Sequence, residues 1–158
     1  MIDTAGFDSP LGRLLLEADD VAITKVEFKE DLTVTTAPAS RVLQQCITEL
    51  NEYFNGKRKV FSVPVHAIGT DFQQMVWAQL LTIPFSKTIS YADLAKQLGD
   101  PKVIRAAGTA NSKNPVAIII PCHRVIGSDG SLTGYAGGLW RKKWLLDFES
   151  KWHQGELF

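Results

Sequence analysis

The sequence is short of cysteine, methionine and net charge, and it holds no long apolar run. Its two cysteines, Cys46 and Cys122, lie 76 positions apart with no C-x-x-C pair, which argues against a disulfide framework and against thiol-based zinc or redox motifs. His66 has no ligand partner at metal spacing. No apolar stretch approaches the length of a membrane span. Met1-Ile2-Asp3-Thr4 lacks the basic start and apolar stretch of a signal peptide. The expectation is a cytoplasmic protein with no membrane partner. Net charge is zero, which argues against a strongly basic nucleic-acid binder. The halves differ modestly, however. Residues 1–69 carry 7 basic and 10 acidic side chains, net −3, and residues 70–158 carry 10 basic and 7 acidic, net +3. That split permits an acidic partner for the C-terminal part.

What is present allows one medium domain or two small ones, with 45% hydrophobic residues for a core. Leu11–Glu17 and Val21–Phe28 read as a hairpin turning through Asp19-Asp20. Residues 29–39 read as a polar loop containing Pro38. Ser40 caps a helix whose apolar stripe is Val42, Leu43, Cys46, Ile47, Leu50, Tyr53 and Phe54, closed by Asn55-Gly56. Cys46 falls on that stripe and reads as core. Lys57-Arg58-Lys59 reads as a solvated turn. Phe61, Val63 and Val65 alternate and predict a third strand. A domain boundary is placed at residue 69, giving domains 1–69 and 70–158.

The texture changes at Thr70 to short helices. Phe72, Met75, Val76, Leu80 and Leu81 give one helical face that ends before Pro84. Ser90-Tyr91-Ala92-Asp93 has the form of a capping box. Gly99 ends that helix, and Asp100-Pro101 opens the next, which runs through Val103 to Gly108. The pair has a helix-turn-helix pattern, though many such pairs do not touch DNA. Its second helix surrounds Arg105 with small residues, from Ala106 and Ala107 to Gly108. They suit either close helix packing or close approach to a nucleic-acid groove. Ile118-Ile119-Ile120 suits a buried strand or extended segment, with Pro121 ending its pairing. Cys122 and His123 follow where the chain leaves the core. Gly127-Ser128-Asp129-Gly130 is a turn, flanked by Val125-Ile126 and Ser131-Leu132 as a small wing. Gly134 to Gly138 reads as a loop whose backbone approaches a ligand. Trp140, Trp144, Leu145 and Phe148 form a last helix with Arg141-Lys142-Lys143 on its exposed side, Glu149 near its end, and a loosely ordered tail from His153.

Asn114-Pro115, Pro121-Cys122-His123-Arg124-Val125 and Gly134-Tyr135-Ala136-Gly137-Gly138-Leu139 together resemble the O6-alkylguanine-DNA alkyltransferases. Arg105-Ala106-Ala107-Gly108, Ser90 to Ala95 and Gly69-Thr70-Asp71-Phe72-Gln73 fit as well. Ser9-Pro10-Leu11-Gly12 and Glu52 to Arg58 fit more loosely. The resemblance implies an α+β fold. Its N-terminal part is a small antiparallel sheet with a helix, ribonuclease-H-like, and its C-terminal part is a mostly helical domain with a winged helix-turn-helix. It implies a monomer acting on double-stranded DNA containing O6-alkylguanine, with O4-alkylthymine a further candidate, and no cofactor. The second helix of the motif would enter the minor groove, about 6 Å wide. Arg105 would fill the stack where the guanine had flipped out.

The same resemblance implies residue roles. Cys122 accepts the alkyl group, His123 is its base through a bound water, and Glu149 orients the imidazole, a triad logic with sulfur as nucleophile. Tyr91 helps discharge the leaving guanine and, with Thr70, Arg105, Ala106, Ala107 and Gly108, contacts DNA. Asn111, Val125, Tyr135, Ala136, Gly137 and Gly138 line the base pocket, and Asn114 braces the turn before the active segment. The thioether is stable, so each molecule reacts once. Two departures stand out. Phe85-Ser86 stands where the family usually has an aromatic residue and glycine, so Ser86 departs, and Asn111 occupies a pocket-wall position that varies. Zinc is not expected, because the N-terminal part offers only Cys46 and His66. The rival readings are a DNA binder without chemistry, a helix-turn-helix regulator and a cysteine hydrolase. The first would lack Cys122, and the second would be indifferent to its loss.

Overall fold

The computed structural model describes residues 2–31 and 40–155. Most of the loop read over residues 29–39, from residue 32 on, lies outside the described residues, as do residues 156–158 of the tail. The architecture is mixed α+β. The chain divides into two compact units, Met1–Ile68 with Pro115–Ile119, and Gly69–Asn114 with Ile120–Phe158.

The first unit is an antiparallel sheet in the order β1-β2-β3 and one helix. Its strands are β1 (Asp3–Ser9), β2 (Gly12–Ala18) and β3 (Ile23–Phe28), and its helix is α1 (Arg41–Phe54). The β2–β3 hairpin turns where Asp19 Oδ1 accepts from Val21 and Ala22 N–H at 2.9 and 2.8 Å. β1 is an edge strand that the sequence pattern does not announce, because Ala5 and Phe7 are its buried side chains. Ser40 Oγ accepts from Leu43 N–H and caps α1. The helix packs on all three strands and buries Leu43, Cys46, Leu50 and Tyr53. Burial, with the charge of Glu49 second, pushes the Cys46 thiol up to about 12.

The strand expected over Phe61–Val65 does not form. Glu49 Oε1 takes the N–H groups of Ser62 and Val63 at 2.8 and 3.0 Å. Pro64 has none to give. An isolated parallel bridge joins Ile23 to Val65. The alternation marks an extended segment whose donors are spent on a carboxylate rather than on a ladder.

The second unit contains α2 (Asp71–Leu80), β4 (Ile89–Ser90), α3 (Tyr91–Gln97), α4 (Ile104–Ser112), β5 (Val125–Ile126) and α5 (Leu139–His153). Single 3-10 turns cover Pro101–Val103 and Cys122–Arg124. Thr70 with Gln73 and Ser90 with Asp93 form complete capping boxes. α4 packs on α2 and α3, and Trp77 Nε1–H donates to Ala110 O at 2.9 Å. A Cβ at Gly69 would lie 2.5 Å from the Trp77 ring, so that close approach requires glycine. α5 runs through His153, later than the tail was expected to begin.

Two other expectations fail here. β5 pairs in parallel with β4, not with Ser131–Leu132. Asp129 Oδ1 takes the Ser131 N–H at 3.0 Å, removing a donor that a wing ladder would use. Nor is Ile118–Ile120 a strand. Ile118 sits at φ 72, and Ile119 and Cys122 N–H each donate two residues back, at 2.8 Å. These are three-residue turns. Pro121 therefore ends no ladder; at φ −82 and ψ 62 it sets the turn that carries Cys122. Among the described residues no helix is long and apolar enough to cross a membrane.

Candidate active site

Pro121 launches one 3-10 turn, and its three residues project inward. Cys122 is 6% exposed, His123 0% and Arg124 7%. Two of them meet Glu149, which is 1% exposed on α5. His123 Nε2 lies 2.8 Å from Glu149 Oε2. Arg124 donates through Nε to Oε1 at 2.9 Å and through Nη2 to Oε2 at 3.0 Å. Its Nη1 donates to Ile83 O at 2.9 Å, and its guanidinium lies 5.7 Å over the Phe85 ring. A planar two-pronged contact of this kind is what arginine makes and lysine cannot.

The electrostatics follow from burial and pairing. Burial pushes the Glu149 carboxyl up, but the charge and hydrogen bonds of His123 and Arg124 outweigh it and hold the group well below its usual range. Burial pushes His123 down, against the pull of Glu149. With Arg124 supplying the countercharge, the pair rests as carboxylate and neutral imidazole. The carboxylate only accepts, so Nε2 carries the proton and Nδ1 presents a lone pair. The Cys122 thiol is pushed up by burial, opposed by a hydrogen bond from Asn114 and the charge of Lys142.

A second group gathers around Tyr91 at the start of α3. Its hydroxyl donates to Thr133 O at 2.9 Å. Lys142 Nζ donates to Thr133 O at 2.7 Å and to Tyr91 Oη at 3.3 Å. Lys142 is 0% exposed, so the expected exposed side of Arg141-Lys142-Lys143 is corrected at its middle residue. Lys142, Leu145 and Glu149 follow steps of three and four and share the buried face of α5, a spacing visible in the sequence. Gly134 sits at φ 65, where a Cβ would lie 3.4 Å from the Tyr91 hydroxyl.

The other residues singled out divide by position. Asn114 Nδ2 donates to Ile120 O at 2.8 Å, and Asn111 Nδ2 to Cys122 O at 3.3 Å. Both thus brace the segment bearing Cys122. Val125 and Tyr135 are buried, whereas Ala136 is exposed. Gly137 O accepts from Arg141 Nη1 at 2.9 Å, and Gly138 immediately precedes α5. On α4, Arg105 and Ala106 are exposed, Gly108 is half-buried and Ala107 faces the core. Thr70 caps α2, its hydroxyl taken by Gln73 N–H. A groove of about 340 Å³ is lined by Tyr91, Arg105, Gly108, Thr109, Thr133 and Gly134 among others. Among the described residues no group of three or more His, Cys, Asp or Glu is placed to hold a metal.

Ser86 is remote from the cysteine in sequence but adjoins its carboxylate in space. Its N–H points at Glu149 Oε1 at 3.3 Å, and its backbone sits at φ 66. Its Oγ is buried with no partner among the described residues. Ser86→Gly should therefore stabilise the protein by about 1 kcal/mol, as a left-handed penalty of about 1–2 kcal/mol is relieved against about 0.5–1 kcal/mol of added chain entropy. A thermal melt should show a rise of about 2–4 °C.

Residues 71–151 match the model of the 6-O-methylguanine DNA methyltransferase DNA binding domain, and residues 4–67 match the ribonuclease-like domain of the same family. A methylated-DNA–protein-cysteine methyltransferase of Mycobacterium leprae is 43% identical over 153 residues, covering 94% of this chain and 93% of its own. The crystal structure of Mycobacterium tuberculosis O6-methylguanine methyltransferase superposes with a TM-score of 0.86 at 43% identity, covering 96% of this chain and 94% of that one. The Mycobacterium tuberculosis protein in complex with DNA gives 0.85 at 44% identity, covering 93% and 92%. Both halves of the chain are thus matched, and the chain belongs to the 6-O-methylguanine DNA methyltransferase family.

Proposed function

We propose that this protein repairs DNA by moving an alkyl group from the O6 atom of guanine in a duplex to Cys122. The observation that carries the reading is the buried line from Cys122 through neutral His123 to a Glu149 carboxylate fixed by Arg124. A thiol so buried resists ionisation, so it needs a base at hand. His123 Nδ1 accepts the thiol proton by way of a water. The sulfur then attacks the alkyl carbon in line. The S–C bond forms as the C–O6 bond breaks, and the electron pair passes to the guanine oxygen. A proton supplied from Tyr91 to the base ring discharges the leaving guanine. Lys142 Nζ donates to the Tyr91 hydroxyl at 3.3 Å and holds that donor in place.

DNA is the partner. The exposed side of α4, with Arg105 and Thr109 lining the groove at Tyr91 and Ala106 exposed, suits a close approach to the duplex. Alkyl groups on O6 lie inside the stack, so the guanine is flipped out at a cost of a few kcal/mol, with Arg105 filling the gap. Backbone groups at Val125 and Ala136 read its edge. The thioether has no route back to thiol, so turnover stops at one.

Incubation with a duplex containing O6-methylguanine should add one methyl group to the peptide bearing Cys122, one per protein molecule, by mass spectrometry. Label on another residue, or more than one turnover per molecule, would overturn the reading.

A further inference from the structure

We infer that Asn111 is a positioning residue for proton removal: its Oδ1, with His123 Nδ1, holds the water that takes the Cys122 proton. This deepens the function proposed above and rests on it.

Two buried acceptors near Cys122 have no hydrogen-bond partner among the described residues, His123 Nδ1 and Asn111 Oδ1. Their residues are 0% and 1% exposed. Leaving each such group unpaired carries a desolvation cost. Both belong to the surroundings of one peptide group. Asn111 Nδ2 donates to Cys122 O, the carbonyl joining Cys122 to His123. That contact fixes the amide's orientation, because a carbonyl oxygen needs the NH₂ end facing it. The oxygen end is left without a donor.

A water has two hydrogens and a lone pair to place. Here two acceptors take the hydrogens, and the thiol S–H supplies the donor for the lone pair. The count of partners is that of a well-held buried water. In the step itself the S–H proton passes to the water as the water's own proton passes to Nδ1. A thiolate and an imidazolium result, and the water is regenerated. Asn111 Oδ1 keeps hold of the second hydrogen throughout and sets the water's orientation. A leucine there would leave the water with a single acceptor, His123 Nδ1, beside the thiol.

The charged and titratable groups facing this spot are His123 and Arg124 on the same turn, Lys142 and Glu149 from α5, and Tyr135 from the preceding loop. None is altered by changing Asn111. The test is Asn111→Leu, with Asn111→Val as the second variant should leucine not fold. The single-turnover rate with free O6-benzylguanine is measured against pH, and thiolate formation is followed by its ultraviolet absorbance. Cys46 contributes little to that signal until its own pKa of about 12 is approached. The expected result is a thiol midpoint displaced upward by about one unit, hence a roughly tenfold slower reaction at neutral pH, with the rate recovered on the alkaline plateau. A purely structural role would lower the rate equally at every pH. That outcome, or an unmoved midpoint, would sink the inference. Should the wild-type protein take up no alkyl group at all, the functional reading fails, and the absorbance titration still decides the role of Asn111.

Discussion

Cys122→Ser should bind duplex DNA about as tightly as the parent and transfer no measurable alkyl group. Oxygen for sulfur is nearly isosteric, and the Cys122 side chain is buried, away from the exposed side of α4. The loss should be on the order of 10⁶-fold in rate, the scale found when the nucleophile of a catalytic triad is removed. A serine hydroxyl is a much weaker acid than a thiol, so His123 and its water will not ionise it. Fluorescence anisotropy on an O6-methylguanine duplex, run beside mass spectrometry of the protein, separates the two effects. Residual transfer within tenfold of wild type would mean that another residue accepts the group. Loss of DNA affinity equal to the loss of transfer would mean that the serine protein is not folded as expected.

Much of the molecule is legible from local signals. The caps at Ser40, Ser90 and Asp100 are where the hydroxyl and carboxylate side chains say they should be. The α1 stripe put Cys46 in the core, because a 3.6-residue period is a strong signal over 14 residues. What failed was decided by partners distant in sequence. Phe61–Val65 alternates like a strand, but Glu49 captures its donors. Val125–Ile126 looks like half of a wing, but its partner is Ile89–Ser90, some 36 residues upstream. Three isoleucines read as extended, yet Ile118 turns at positive φ, which β-branched residues rarely adopt.

The candidate site shows the same division. The Pro-Cys-His-Arg-Val block named Cys122 and His123 directly, but it gave no reason to see Arg124 as the clamp on Glu149. That role depends on α5 arriving from 25 positions away. Lys142 was hidden by its neighbours: between Arg141 and Lys143 it looks like one of a basic run. Only the helical period, carried through Leu145 to Glu149, turns it inward. Ser86 was invisible for a related reason, since its contact with Glu149 spans 63 positions.

Glu149→Gln should be costly in two separable ways. The first is stability. Removing the carboxylate charge leaves Arg124 buried without a counterion, a change worth about 3–5 kcal/mol. In a chain of this length that lowers the melting temperature by about 6–20 °C. The wild-type pH dependence has a definite sign. His123 has a lowered folded-state pKa, so the unfolded chain binds its proton first, and stability erodes as pH falls below about 6.5. Glu149, also lowered, adds stability above about 4.3 that is lost on further acidification. The glutamine variant should lack this second component. The other cost is catalytic. A glutamine amide can turn its NH₂ toward Nε2, which shifts the proton to Nδ1 and leaves no lone pair for the thiol proton. The analogous exchange in a serine-protease triad lowers the rate about 10⁴-fold. Arg124→Met in the glutamine background distinguishes the two. With no unpaired cation left, part of the lost stability should return, while transfer stays slow at every pH where the fold holds. Recovery of the rate together with the melting temperature would reduce Glu149 to a structural partner of Arg124.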